Sequence, residues 1–145
     1  MRPFFLLGLW LLPLLASAQA LVSLPDTLRT PNGVRYVLHH PGIGPAAGPG
    51  ARVVVHYSAF MPDGRLFDSS ATDGRPLRLR LGRGEVIPGW EELLPLLSAG
   101  ARVWARVPAA LAYGPLGQRD PDNDREYRVP PNTDLLFELE IVRVN

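Results

Sequence analysis

The chain has 145 residues, 46% of them hydrophobic, with 15 basic residues against 14 acidic ones and a formal charge of +1. So even a balance, with no basic block, argues against a nucleic-acid partner, which needs a cationic stripe. Cysteine is absent, so disulfides, thiolate chemistry and a Cys-linked lipid are excluded together.

Met1-Arg2 precedes an apolar run from Phe4 to Leu15 that closes on Ala16-Ser17-Ala18. One basic residue, an apolar stretch and small residues at −3 and −1 predict a secretory signal peptide over 1–18. The run is shorter than the ~20 residues that span a bilayer, so no stable membrane insertion is expected after cleavage. Cleavage after Ala18 leaves Gln19 first, and cleavage after Ala20 leaves Leu21. The mature chain then carries 14 Arg against 14 acids and no net charge. What remains suffices for one domain with its own core. A secreted protein, periplasmic or extracellular, is the expectation.

Residues 19–33 contain Pro25 and Pro31, show no period, and read as a flexible tether ahead of a domain over 34–145. Val34–His40 reads as a first strand, and the Pro-, Gly- and Ala-rich run 41–50 as a loop. From Arg52 the alternation is clean, with Val53, Val55, Tyr57 and Ala59 on one face. Pro62-Asp63-Gly64 is a turn, which makes a hairpin with the short piece Arg65–Phe67. Leu77, Leu79 and Leu81 alternate with Arg78 and Arg80, and Val103, Ala105 and Val107 alternate with Arg102, Trp104 and Arg106. The last strand presents Leu135, Phe137, Leu139 and Ile141 inward and Glu138 and Glu140 outward. Arg on three outer faces and Glu on the last predict cross-strand charge pairs.

Between these strands lies Leu81-Gly82-Arg83-Gly84-Glu85-Val86-Ile87-Pro88-Gly89-Trp90-Glu91-Glu92-Leu93-Leu94. Two glycines loosen the chain, and Pro88 presets the φ of a first helical turn. Pro95 limits the helix to about two turns, too few to stand without packing. The fold class is therefore α+β, a curved antiparallel β-sheet wrapped around one short α-helix.

Catalytic groups of the usual kinds are scarce. His39, His40 and His56 have no Ser in a nucleophile context, and adjacent strand residues face opposite ways, so His39 and His40 make a poor metal pair. Asp120-Pro121-Asp122-Asn123-Asp124 has calcium-loop spacing, but Arg125 stands at the glycine position and Pro131 at the closing glutamate. We expect no metal and no cofactor. The Gly114–Val129 connection is rich in Asp, Arg and Pro, with little apolar surface to order it, and reads as a mobile loop.

Val55-His56-Tyr57, Gly64-Arg65-Leu66-Phe67-Asp68-Ser69-Ser70, the Leu81–Leu94 stretch and Leu111-Ala112-Tyr113-Gly114 occur in an order and spacing that resembles the FKBP family. Its members are macrolide-binding peptidyl-prolyl cis–trans isomerases, and the resemblance runs from about Gly33 to Asn145. It implies an apolar cavity with catalytic Tyr57, Asp68, Ile87 and Tyr113, and with substrate-binding Phe67, Leu77, Glu85, Val86, Trp90, Val129 and Phe137. Trp90 would be the floor and Tyr113 the rim. The residues alone leave alternatives open: Trp90 serves equally as core, and Asp68 either caps the Ser69-Ser70 turn or holds the Tyr57 hydroxyl. Implied partners are proline-containing unfolded or partly folded polypeptides, with macrolides as inhibitors. Leu77 replaces an aromatic wall common in catalytic members, and the Gly114–Val129 loop exceeds the minimal length. A rival reading is therefore a module of the same fold that binds polypeptides with little turnover.

Overall fold

The structure is a computed structural model, and residues 26–145 are described. The expected signal peptide lies outside them. Among the described residues nine strands form: β1 (Leu28–Arg29), β2 (Arg35–His40), β3 (Arg52–Phe60), β4 (Leu66–Ser69), β5 (Leu77–Arg80), β6 (Arg102–Val107), β7 (Gln118–Arg119), β8 (Tyr127–Val129) and β9 (Leu135–Val144). One α-helix among these residues, α1 (Pro88–Leu93), interrupts them. Seven strands make one antiparallel sheet in the order β1-β2-β6-β9-β3-β4, with β5 also paired to β3, while β7 and β8 form a separate hairpin.

The period-2 reading assigns the faces correctly. Val53, Val55 and Ala59 of β3, Val103, Ala105 and Val107 of β6, and Leu135, Phe137, Leu139 and Ile141 of β9 are all buried. Val54, on the outer face, is buried as well. Its register neighbours are Arg78 and Arg143, long side chains whose aliphatic stems can cover it. The β3–β9 register shifts between Val54 and Val55, a bulge of the kind that bends a sheet.

The helix covers the concave face. It spans six residues, begins on Pro88, and buries Gly89, Trp90 and Leu93; a 3₁₀ turn at Leu94–Leu96 carries Pro95. Gly89 is required here by space. A Cβ at that position would overlap Val107 Cγ1 and lie 3.2 Å from Cγ2 and 3.3 Å from the Leu111 carbonyl. The helix thus sits directly on β6, which brings Trp90 into the sheet.

Three expectations need correction. Leu28 and Arg29, inside the expected tether, pair with Tyr36 and Arg35. The turn that follows closes by a Thr30 N–H bond to the Val34 carbonyl at 2.9 Å and a Val34 N–H bond to Thr30 Oγ1 at 3.0 Å, and Glu92 Oε1 accepts from the Asn32 N–H at 2.9 Å. These are polar anchors that leave no hydrophobic period to read. Second, the charge pairs are fewer than expected. Arg102 faces Glu140 at 3.6 Å, but β5 lies beyond β3 from β9, so Arg78 and Arg80 cannot reach the Glu residues, and Arg106 pairs with Asp134 instead. Third, the Gly114–Val129 connection contains ordered pairing. β7 meets β8, the Arg119 guanidinium lies 4.0 Å from the centroid of the Tyr127 ring, and Asp120 N–H donates to the Glu126 carbonyl.

Candidate active site

Where the helix N-terminus meets the concave face, a cavity of about 190 Å³ opens. Trp90 forms its floor. It is only 4% exposed, and it meets Tyr57 and Phe137 edge-on with ring centroids 5.2 Å away in each case. Edge-to-face contacts of this kind hold three rings mutually fixed. Its Nε1–H is buried without a hydrogen-bond partner among the described residues.

Phe67 and Asp68 come from β4, which the Met61–Arg65 turn folds back on β3. Of the two roles left open by the sequence, the Asp68 carboxylate takes the second: its Oδ2 accepts the Tyr57 hydroxyl at 2.9 Å, while its Oδ1 accepts the adjacent Ser69 N–H at 2.9 Å. The turn that follows is capped by Ser69 itself, whose Oγ accepts the Ala71 N–H at 3.2 Å. Asp68 Oδ1 also meets an Arg128 nitrogen at 3.0 Å.

The segment from Leu81 to Ile87 supplies the opposite lip. Gly82 and Gly84 adopt positive φ, and two carboxylates pin the loop they form. Glu91, in the first turn of α1, accepts from Gly82 N–H at 2.7 Å and from Gly84 N–H at 3.2 Å. Glu85 accepts from Arg80 N–H at 2.9 Å, so its carboxylate shapes the lip besides facing the cavity. Ile87 is the N-cap, at φ −58° and ψ 150°, and its N–H lies outside the helical ladder.

Burial, then the adjacent Asp68 carboxylate, push the Tyr57 hydroxyl well above its ordinary value of 10, against the lowering effect of Arg128. Burial likewise raises Tyr113, again opposed by Arg128. Both phenols therefore stay protonated near neutral pH and can act as hydrogen-bond donors.

Of the eleven residues expected in the site, ten line this cavity: Tyr57, Phe67, Asp68, Leu77, Glu85, Val86, Ile87, Trp90, Tyr113 and Phe137. Val129 does not. It is 0% exposed and belongs to the core, because neighbours in a strand face opposite ways and in β8 it is Arg128 that points to Asp68. Ala59 and Leu135 line the cavity without having been expected, although both lie on the inner faces that periodicity identified. A larger depression of about 480 Å³ between His39, His56, Trp104 and Glu138 is on the outer face of the sheet, lined also by Arg102 and Glu140.

Residues 44–142 match the family model for FKBP-type peptidyl-prolyl cis-trans isomerase. The chain belongs to the FKBP-type peptidyl-prolyl cis–trans isomerase family. FK506-binding protein 1 of Kluyveromyces lactis is 36% identical over 97 residues, which cover 67% of this chain and 79% of that protein. Outer membrane protein MIP of Legionella longbeachae is 34% identical over 122 residues, 84% of this chain and 48% of that one. Among solved structures, the peptidyl-prolyl isomerase of Pseudomonas syringae superposes with a TM-score of 0.71 at 32% identity, covering 85% of this chain and 84% of the other. The crystal structure of AtFKBP13 gives a TM-score of 0.73 at 32% identity, covering 83% of this chain and 99% of that one. These FKBP relatives agree with the antiparallel sheet and single short helix described above.

Proposed function

We propose that this FKBP-family isomerase binds Xaa-Pro segments of exported polypeptides in the Trp90 cavity and accelerates rotation without covalent or acid–base chemistry. The observation that carries the reading is the aromatic cavity itself. Its floor is Trp90 between Tyr57 and Phe137, and its ionisable groups are Tyr57, Asp68, Glu85 and Tyr113, none of them a histidine. The prolyl amide resists rotation by about 18–20 kcal/mol because the planar form is resonance-stabilised. In the twisted transition state the amide is less dipolar. Transfer from water to an apolar cavity then costs the ground state more than the transition state. A 10⁴-fold acceleration requires about 5–6 kcal/mol of such difference. Desolvation supplies part of it, and an Ile87 N–H bond to a substrate carbonyl and a Tyr113 hydroxyl at the rim supply orientation. Tyr57, held by Asp68, keeps one wall upright. Export rests on the apolar leader with its Ala-Ser-Ala end and is supported by the relative named an outer membrane protein. The name FK506-binding protein 1 supports macrolide occupancy of the same cavity.

The test is the isomerisation rate of a Leu-Pro peptide by NMR exchange between pH 6 and 8. With no histidine in the cavity lining, kcat/KM should change less than about twofold. A bell-shaped profile abolished by one substitution would replace this mechanism with acid–base catalysis. Absence of turnover in the folded protein would favour the binding module.

A further inference from the structure

Arg128 sits on β8, outside the cavity lining, and its guanidinium reaches Asp68 Oδ1 at 3.0 Å with both side chains about one-third exposed. Asp68 Oδ2 holds Tyr57, and Tyr57 stands edge-on against Trp90. A continuous chain of contacts therefore runs from the β7–β8 hairpin to the cavity floor. The hairpin's other ties gather at its base, where Gln118 hydrogen-bonds the Tyr113 side chain and the Gly117 N–H donates to the Tyr113 carbonyl. Its strands are two and three residues long, Tyr127 is 39% exposed, and its tip is closed by local bonds such as Asp120 to the Asp122 N–H. Val129 anchors its base in the core. We propose that Arg128 is a positioning residue: it fastens the hairpin to the cavity rim through Asp68 and so sets how firmly the Tyr57 wall closes on a bound prolyl segment.

The strength of this tie follows from its chemistry. A carboxylate that takes a phenol on one oxygen and a guanidinium plus a backbone N–H on the other cannot rotate without losing charge-assisted bonds. Without Arg128, Asp68 keeps the Ser69 N–H and the Tyr57 hydroxyl but loses its cation, and the hairpin loses the one ion pair that joins it to the site among the described residues. The pair is partly solvated, so salt weakens it.

The inference rests on the isomerase reading, and two readouts separate their failures. In the peptide assay, Arg128→Gln should lower kcat/KM about three- to tenfold, mainly through KM, and Arg128→Lys should recover part of the loss. In an Asp68→Asn background the same Gln substitution should change kcat/KM less than twofold, because Arg128 acts through that carboxylate. Raising NaCl from 50 to 500 mM should raise KM in the wild type and not in Arg128→Gln. Far-UV circular dichroism establishes that each variant is folded, as the Val129 anchor leads us to expect. Unchanged kcat/KM in Arg128→Gln, or equal losses in both backgrounds, would overturn the proposal. If the wild type shows no turnover, the isomerase reading fails on its own. The tie is then judged by hydrogen exchange: the Asp120 and Tyr127 amides should exchange faster in Arg128→Gln and in Asp68→Asn, and unaltered exchange overturns it.

Discussion

Trp90→Phe and Trp90→Ala should part company, and the reason lies in one atom. Truncation to Ala empties the cavity floor and deletes both edge-to-face pairs, a change that costs about 3–5 kcal/mol when the ring is buried. The native ring, however, carries a buried Nε1–H with no partner among the described residues, and such a donor costs about 1–3 kcal/mol. Phe removes that donor and keeps most of the apolar ring. Its net cost should be within about 1 kcal/mol of wild type, since lost ring area and the relieved donor oppose each other. Equilibrium urea unfolding followed by far-UV circular dichroism measures both variants without relying on indole fluorescence. Isomerase rates must be normalised to folded protein. Trp90→Phe should retain kcat/KM within about fivefold, and Trp90→Ala should lose about tenfold or more, the rate equivalent of some 1.4 kcal/mol of lost positioning. A Phe variant as unstable as the Ala variant would refute the unpartnered-donor argument. An Ala variant with full activity per folded molecule would remove Trp90 from the site.

Gly89→Ala should destabilise by about 1–3 kcal/mol in thermal melts, because the new methyl overlaps Val107 and must lift α1 off β6; a neutral result would mean that the helix has slack. Alkaline titration of stability tests the phenols. The folded-state value of Tyr57 is raised, so the unfolded chain loses its proton first, and the stabilisation, fully present below pH 10, declines as pH rises above it. Urea midpoints between pH 9 and 11 should fall in the wild type, by at most about 1.4 kcal/mol per pH unit from this group, and less steeply in Tyr57→Phe. Replacing residues 120–126 by a two-residue Asn-Gly turn, which leaves β7 and β8 intact, should preserve fold and kcat/KM within about twofold, because none of those residues lines the cavity. Loss of folding would make the tip structural.

The inward face of each long strand was legible because a half-buried strand must alternate, and β5, β6 and β9 do so over four or more residues, with Val54 the exception in β3. The helix was legible from Pro88 and Pro95, two residues with fixed backbone demands. The members of the site, by contrast, came from ordered family motifs; nothing in their periodicity separates Trp90 as floor from Trp90 as core.

Tertiary structure decided what depends on strands distant in sequence. The order β6-β9-β3-β5 determines that Arg102 finds Glu140 while Arg78 and Arg80 reach neither Glu138 nor Glu140, and pairing order leaves no local trace. The side of β8 that faces Asp68 determined that Arg128 reaches the site and Val129 the core. With only three residues in that strand, alternation had no length over which to declare itself. The β1 pairing and the Asn32–Glu92 bond escaped for the related reason that they are polar and long-range. Hydrophobic patterning reports burial through composition along the chain, whereas a single ion pair or backbone hydrogen bond depends on where two remote segments happen to meet.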